Sequence, residues 1–454
     1  VEADVAQLDV NNRFVLLYPE RRPFFMEGAD FFLTPLNVIF TRPVAVPEAG
    51  AKLTGKEGAN AVGFFLTMDR VNNLIFPANQ GSASATLPDD VSAGVLRYRR
   101  DVGAGSTVGG LMTVREGDGY HNRVYGADAF LRLSATNTVQ AQFLHSDTEY
   151  PSELASAFEQ SEGSFGGGAY HLRVQHRSRE WAAWANLEQL DRGFRSDAGF
   201  IPRVDTRSGE VGAQKTWWAS ESGLWYSFLN AGILASRTED LSGELTDERV
   251  QLIGGYSGPM QSNVNVALAT RKELFAGTLF EDLGAVFIGF EVRPSGLATL
   301  GFGSEFSETI DYLAGQKGTQ ITAGPRAELK LGRHLNLNLQ HSFRRLEREG
   351  DWAFIANLSQ LRAVYNFNVR TFLRAIVQYQ NIERNPENYT FAINRETRNL
   401  FTQLLLSYKV NPQTVLFLGY SDNARGMLTP ERLRTDLARS DRTFFLKLGY
   451  AWRP

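Results

Sequence analysis

The sequence predicts an all-β protein: a transmembrane antiparallel β-barrel of the outer membrane, about 20–22 strands, with an N-terminal plug-like segment. Three observations predict it. From about residue 50 to the end, apolar and polar side chains alternate with period two in stretches of about ten to fourteen residues, longer than soluble strands and suited to a tilted span. No run approaches the roughly 18 apolar residues of a membrane helix, a limit that excludes helical spans but not a barrel, whose strands turn only every second residue to lipid. Connections alternate short and long, with longer segments around 69–90, 147–164, 193–206, 238–247, 383–395 and 425–439. A soluble sandwich also alternates, so strand length and loop asymmetry carry the choice.

The opening stretch stands apart. Asn11 to Phe32 combines a short apolar run, Pro19 and Pro23, and charges set among phenylalanines. The prolines keep it from joining a ladder as an ordinary strand. Residues 1–35 therefore read as a plug or periplasmic segment, and 36–454 as the barrel. Leu36–Pro43 could form a short strand that stops at its proline. Ala51–Thr54, a Gly55–Gly58 turn and Ala61–Thr67 make the first hairpin.

Further along, the faces can be assigned residue by residue. Tyr125, Ala127, Ala129 and Leu131 oppose Asp128 and Arg132; Tyr170, Leu172 and Val174 oppose Arg173 and Arg177. Val286, Ile288 and Phe290 alternate with Glu291 and Arg293, and Leu373, Ala375 and Val377 with Arg374 and Gln378. Trp217, Trp218, Trp225 and Tyr226 flank a turn at 220–223, where an interfacial aromatic girdle belongs. The last strand, from Thr443, places Phe444, Leu446, Leu448, Tyr450 and Trp452 on one face. That pattern resembles the signal read by the barrel-assembly machinery.

The net charge of -3 gives no reason to invoke nucleic acid. There are no cysteines, which removes disulfides, thiolate metal sites and thiol nucleophiles. Val1–Asp4 has neither the basic start nor the apolar core of a signal peptide, so the chain is expected to be a mature or truncated form.

The stretches Asn12–Phe14, Tyr18–Gly28, Gly50–Gly55, Val95–Asp101, Asn122–Gly126 and Asp197–Arg203 resemble the hallmarks of a bacterial outer-membrane barrel family of unknown function. In that family the barrel follows a periplasmic module resembling carbohydrate-binding family nine. The resemblance implies an outer-membrane barrel of undefined substrate, with such a module or a periplasmic partner protein beside it.

Candidate site residues fall in two groups. Plug or gate candidates are Glu20, Arg21, Arg22, Phe24, Phe25, Glu27 and Asp30, whose arginine forks could clamp carboxylates of the wall. Lumen charges are Arg97, Arg99, Asp128, Arg132, Arg173, Arg177, Glu291, Arg293, Arg326, Glu328 and Arg374. Their positive balance favours anionic solutes or acidic sugars. The plainer reading is that they pair with one another and with the plug, because buried polar groups must be satisfied.

Catalysis is not expected. The six histidines are scattered, and neither a Gly-x-Ser-x-Gly elbow nor a His-Glu-x-x-His motif is present. The acidic loops around Asp147–Glu162 and Glu239–Glu248 lack calcium-loop spacing and read as solvated charge, so no metal or cofactor is expected. The sequence thus predicts a channel or transporter for a solute or polymer, its lumen occluded by the N-terminal segment. The alternative is a closed scaffold or surface-display barrel acting through loops or a periplasmic partner. The surrounding partners would be outer-membrane lipid and lipopolysaccharide.

Overall fold

The computed structural model describes residues 7–221, 224–411, 414–428 and 437–450. Its framework is one antiparallel sheet of 22 strands, with a separate two-stranded hairpin. The wall begins with β1 (Pro47–Glu57) and β2 (Asn60–Asp69). The hairpin β3 (Asn72–Pro77) and β4 (Ser82–Leu87) follows, and β5 (Val91–Val102) returns to pair with β2. From there each strand pairs with its successor: β6 (Ser106–Gly117), β7 (Tyr120–Arg132), β8 (Asn137–Glu149), β9 (Phe165–Arg177), β10 (Trp181–Leu190), β11 (Thr206–Trp218) and β12 (Phe228–Glu239). The series continues through β13 (Leu245–Gly258), β14 (Ser262–Phe275), β15 (Thr278–Ser295) and β16 (Ala298–Asp311).

The next row is broken. β17 (Gln316–Ala323) and β18 (Arg326–Leu331) both lie between β16 and β19 (Leu335–Arg348), end to end around Gly324 and Pro325. Proline cannot donate to a ladder, so the row is interrupted there. The wall closes its sequence with β20 (Asp351–Asn366), β21 (Thr371–Arg384), β22 (Glu396–Asn411), β23 (Thr414–Leu428) and β24 (Ala438–Tyr450).

Period two explains why these segments are strands. In β2, Ala61, Phe65, Thr67 and Asp69 are buried on one face while Val62, Phe64, Leu66 and Met68 are exposed on the other. The same exposed apolar face recurs as Leu96 and Tyr98, Tyr170, Leu172 and Val174, Val266 and Leu268, and Leu404 and Leu406. A continuous apolar exterior on strands that are polar within is the signature of a wall facing lipid. No helix among the described residues is long and apolar enough to cross a membrane.

The sheet curls around the N-terminal segment. Residues 7–46 touch β19 through Val10, β13 and β14 through Arg13, β2 through Phe32, and β8 through Leu36. One segment can meet strands that far apart in the sheet only if the sheet wraps it.

Connections of more than ten residues, at 70–90, 150–164, 191–205 and 385–395, all lie on one rim. The opposite rim carries short turns such as 58–59, 103–105 and 178–180, and Trp181, Trp217, Trp218 and Trp225 stand exposed there. Long loops on one rim and short turns on the other are the outer-membrane pattern.

Several expectations need correction. The wall starts at Pro47, so the irregular inner segment reaches Val46 instead of ending at residue 35. Leu36–Pro43 is not a strand: the Phe40 N–H donates to the Ala198 carbonyl, and the Phe200 N–H to that of Asn37, pairs too few to extend a ladder. Residues 240–244 make a tight turn, and the long connection at 69–90 holds the β3–β4 hairpin. Ser222, Gly223 and the end of the terminal strand through Trp452 lie outside the described residues.

Candidate functional site: the lumen and its N-terminal segment

The segment enters on an apolar anchor. Leu8 and Val10 pack against Leu346, Phe354, Leu358 and Ile382 on the inner face of β19 to β21. Arg344 donates to the Val10 carbonyl at 2.5 Å. Asn11 donates to the Ile310 carbonyl at 2.8 Å and accepts from the Tyr312 N–H at 2.9 Å, fastening the chain to the end of β16.

Arg13 follows, and it is the chief electrostatic contact with the wall. Its guanidinium lies 2.8 Å from Asp247 and 3.1 Å from Glu273, with a side chain only 6% exposed. It also donates to the carbonyls of Gln80 and Leu274. Asp247 receives a second cation, Arg203, at 2.5 Å. Both guanidiniums flank the Phe14 ring, at 5.1 and 5.4 Å from its centroid. Such forks fit carboxylates bidentately and stack on aromatic faces.

The gate candidates form a second, internal clasp. Glu20 accepts from Arg22 at 2.6 Å and from the Thr41 hydroxyl at 2.5 Å, and Arg22 donates to the carbonyls of Thr41 and Val44. The backbone N–H groups of Arg21 and Arg22 also donate to Glu20. Partial burial raises the Glu20 pKa, but these donors outweigh it and hold the carboxyl down at about 2. The expected clamp of Arg22 on wall carboxylates is therefore corrected: Arg22 ties residues 20–22 to 41–44 within the segment, and the clamp on the wall is made by Arg13.

Between those clasps, Pro23–Met26 forms one helical turn, α1, with Pro23 at its first position. Lys52 of β1 donates to the carbonyls of Phe24 and Glu27, placing a cation at the turn's C-terminus. Gly28 follows at φ 63°, close to Thr54: a Cβ there would stand 2.9 Å from its hydroxyl. Phe25 and Phe32 meet the Phe65 ring edge-on at centroid distances of 6.1 and 5.4 Å. Phe24 packs on Phe25 and is partly exposed, as are the Glu27 and Asp30 side chains. A cavity of about 370 Å³ remains beside β1 and β2, lined by Glu20, Met26, Leu33, Phe40, Lys52 and Phe65 among others.

The loop 191–205 closes over the same half of the lumen. Arg195, Ser196 and Asp197 are buried. The Asp197 carboxylate accepts from Tyr120 at 2.7 Å and Tyr150 at 3.1 Å, and its N–H donates to Asn122. Burial pushes its pKa up, opposed by these hydroxyls and by Arg115.

The wall charges lie on the inner face, as the alternation predicts. Arg97 and Asp128 form a pair at 2.6 Å, 2% and 9% exposed. Glu291 bridges Arg326 at 2.9 Å and Arg293 at 3.4 Å, Asn338 donates to Glu328 at 3.2 Å, and Arg374 to Gln403 at 3.3 Å. Arg99 reaches the Asp30 carbonyl at 3.5 Å. Arg132, Arg173 and Arg177 share the inner face by register and sit towards the short-turn rim. The segment contacts of Arg13 and Val10 are at the long-loop ends of their strands. The two groups of candidates meet at Arg99, which donates to the Asp30 carbonyl.

Reasoning from sequence missed Arg13, Asp247, Glu273, Arg115 and Asp197 as site residues. Arg13 and Asp197 did sit in stretches that stood out, Asn12–Phe14 and Asp197–Arg203.

No family model matches the chain, and no curated protein does. Solved structures similar to it include a mutant of the ferric enterobactin receptor of Pseudomonas aeruginosa, at 9% identity and a TM-score of 0.45 over 87% of this chain and 70% of that one. The alcaligin outer membrane receptor FauA of Bordetella pertussis gives 9% and 0.46 over 85% and 76%. The siderophore receptor PirA of Acinetobacter baumannii gives 8% and 0.49 over 88% and 75%. The barrel assignment rests on the sheet and its apolar exterior, not on these likenesses.

Proposed function

We propose that the protein is an outer-membrane transport barrel whose lumen is occluded by residues 7–46 and lined with cations on the wall beside them. The observation that carries this reading is the threading of one irregular segment between distant strands of a wall this wide. A barrel of about 22 strands encloses a lumen that conducts unless something fills it. The segment fills it with side chains matched to the wall, and Arg132, Arg173 and Arg177 then face the remaining space. That lining supports an anionic solute or acidic saccharide, whose electrostatic barrier it lowers.

The barrel lies in the bacterial outer membrane, with lipid and lipopolysaccharide against its exterior and the assembly machinery inserting it. The motif stretches support membership in the barrel family of unknown function, and with it a periplasmic carbohydrate-binding module or partner protein. No catalytic role is proposed.

A second reading has its own observation. The ion pair Arg97–Asp128 is almost dry, which suits a permanently closed scaffold acting through its loops. Planar-bilayer recordings separate the two. After deletion of residues 1–46, a transport barrel conducts and its reversal potential in a salt gradient shows anion preference. A folded barrel that conducts in neither form sinks transport.

A further inference from the structure

One sector of the short-turn rim carries no negative charge. Residues 329–346, 352–382, 397–421 and 442–454 contain no aspartate or glutamate. These runs hold the short-turn halves of β19 to β24 and the turns that join them. Elsewhere towards that rim cations are matched: Lys56 by Asp101, Lys215 by Glu180, Arg293 and Arg326 by Glu291. Within the sector a cavity of about 370 Å³ lies between the turns 332–334 and 367–370 and the end of β22. Arg333, Arg370 and Lys409 line it, with His334, Asn368 and Ser407.

The frame of this cavity is fixed by hydrogen bonds. His334 Nδ1 donates to the Asn366 carbonyl at 2.6 Å, and its ring stacks on Tyr365. The Asn368 side-chain oxygen accepts from the N–H groups of Arg370 and Thr371 at 2.8 and 3.0 Å, which holds the turn. The Lys409 N–H donates to the Arg370 carbonyl at 2.8 Å and ties β22 to that turn. Register puts Asn366, Phe372, Ser407 and Lys409 on the inner face with Arg374, so the cavity opens into the mouth of the lumen. Ser407 is only 2% exposed, and its hydroxyl has no partner among the described residues.

We propose that this cavity binds the phosphate group of a soluble phosphate monoester at the short-turn mouth of the lumen. Three cations with no carboxylate in their sector call for more than one negative charge, and a phosphate monoester carries about −1.5 to −2 at pH 7. A monocarboxylate leaves most of that charge unmatched. Arginine forks take two phosphate oxygens at once, while Lys409 and the Ser407 hydroxyl supply single donors to the rest. The inward face turns the site away from lipid, which favours a soluble ester over a headgroup. The inference deepens the anionic-solute reading and rests on it for the solute's route, but binding is measured without conduction.

Glycerol 3-phosphate is titrated calorimetrically into the detergent-solubilised full chain, with glycerol and lactate as controls. The ester binds with an affinity that falls as salt rises, and both controls bind at least about tenfold more weakly. Arg333→Gln, Arg370→Gln and Lys409→Gln each weaken binding about tenfold, the worth of one charge-assisted hydrogen bond. Ser407→Ala weakens it by about threefold or more, a change that a diffuse basic surface would not show. Arg123→Gln, on the outer face, leaves it unchanged. Each variant is first shown folded by its heat-modifiable mobility. No binding by the folded chain, or an equal loss in Arg123→Gln, overturns the proposal. Saturation by phosphatidylglycerol in mixed micelles without response to glycerol 3-phosphate overturns it in favour of a lipid headgroup. Binding that emerges only in the Glu2→Gln, Asp4→Asn double variant overturns it in favour of the chain's own N-terminal carboxylates. The bilayer recordings stand apart: a barrel that conducts but does not bind loses this site alone, and one that binds but does not conduct keeps the site and loses transport.

Discussion

Replacing Arg13 by alanine removes the cation that Asp247 and Glu273 share while leaving both carboxylates where they are. Breaking a buried ion pair from one side costs about 3–5 kcal/mol, because the remaining charge is left uncompensated. Here the lower end applies. Arg203 still stands 2.5 Å from Asp247, and the Tyr312 hydroxyl still donates to Glu273 at 2.8 Å. A loss of about 3 kcal/mol raises the undocked population of the segment about a hundredfold, at 1.4 kcal/mol per decade. Hydrogen exchange of the amides from Asn11 to Val15 reads this directly, as faster exchange while the wall strands keep their protection. Arg13→Lys keeps the charge but loses the fork, and falls between the two. Adding Glu273→Gln to Arg13→Ala recovers part of the loss. Unchanged protection in Arg13→Ala would refute the claim that this residue latches the segment.

Three further outcomes follow from the same contacts. Glu20, held at about 2 against an ordinary 4.5, contributes docking stability that is complete above pH 4.5 and is lost as the pH falls towards 2; Glu20→Gln should flatten that profile in a protease-accessibility titration. Gly28→Ala meets both a left-handed backbone, costing about 1–2 kcal/mol, and the Thr54 hydroxyl; it should expose the Phe25–Phe32 stretch to limited proteolysis, and Thr54→Ser should not restore it fully. Leu268→Arg, on the exposed apolar face of β14, should weaken folding into lipid vesicles by about 2–4 kcal/mol, whereas Asn336→Arg, on the inner face of β19, should leave it nearly unchanged; equal effects would contradict the assignment of faces.

What could be read from the sequence was whatever repeats locally. Strand faces such as Tyr170, Leu172 and Val174 against Arg173 depend only on neighbours two residues away, and the loop asymmetry only on turn spacing. The contacts that fasten the segment do not repeat. Arg13 finds Asp247 234 residues away, and which of many carboxylates it meets depends on how the wall curls. Glu20 and Arg22 were visible as a charged cluster, but their partners, Thr41 and the Val44 carbonyl, belong to a return of the chain that no pattern announces. The break at Gly324 and Pro325 was equally hidden, because β17 and β18 each alternate correctly on their own.

A density map of the detergent-solubilised full chain tests the central claim most directly. The structure predicts continuous density for residues 7–46 across the lumen, with the Phe32 ring on Phe65 and the Arg13 guanidinium between Asp247 and Glu273. An open lumen with that segment outside the wall would contradict it.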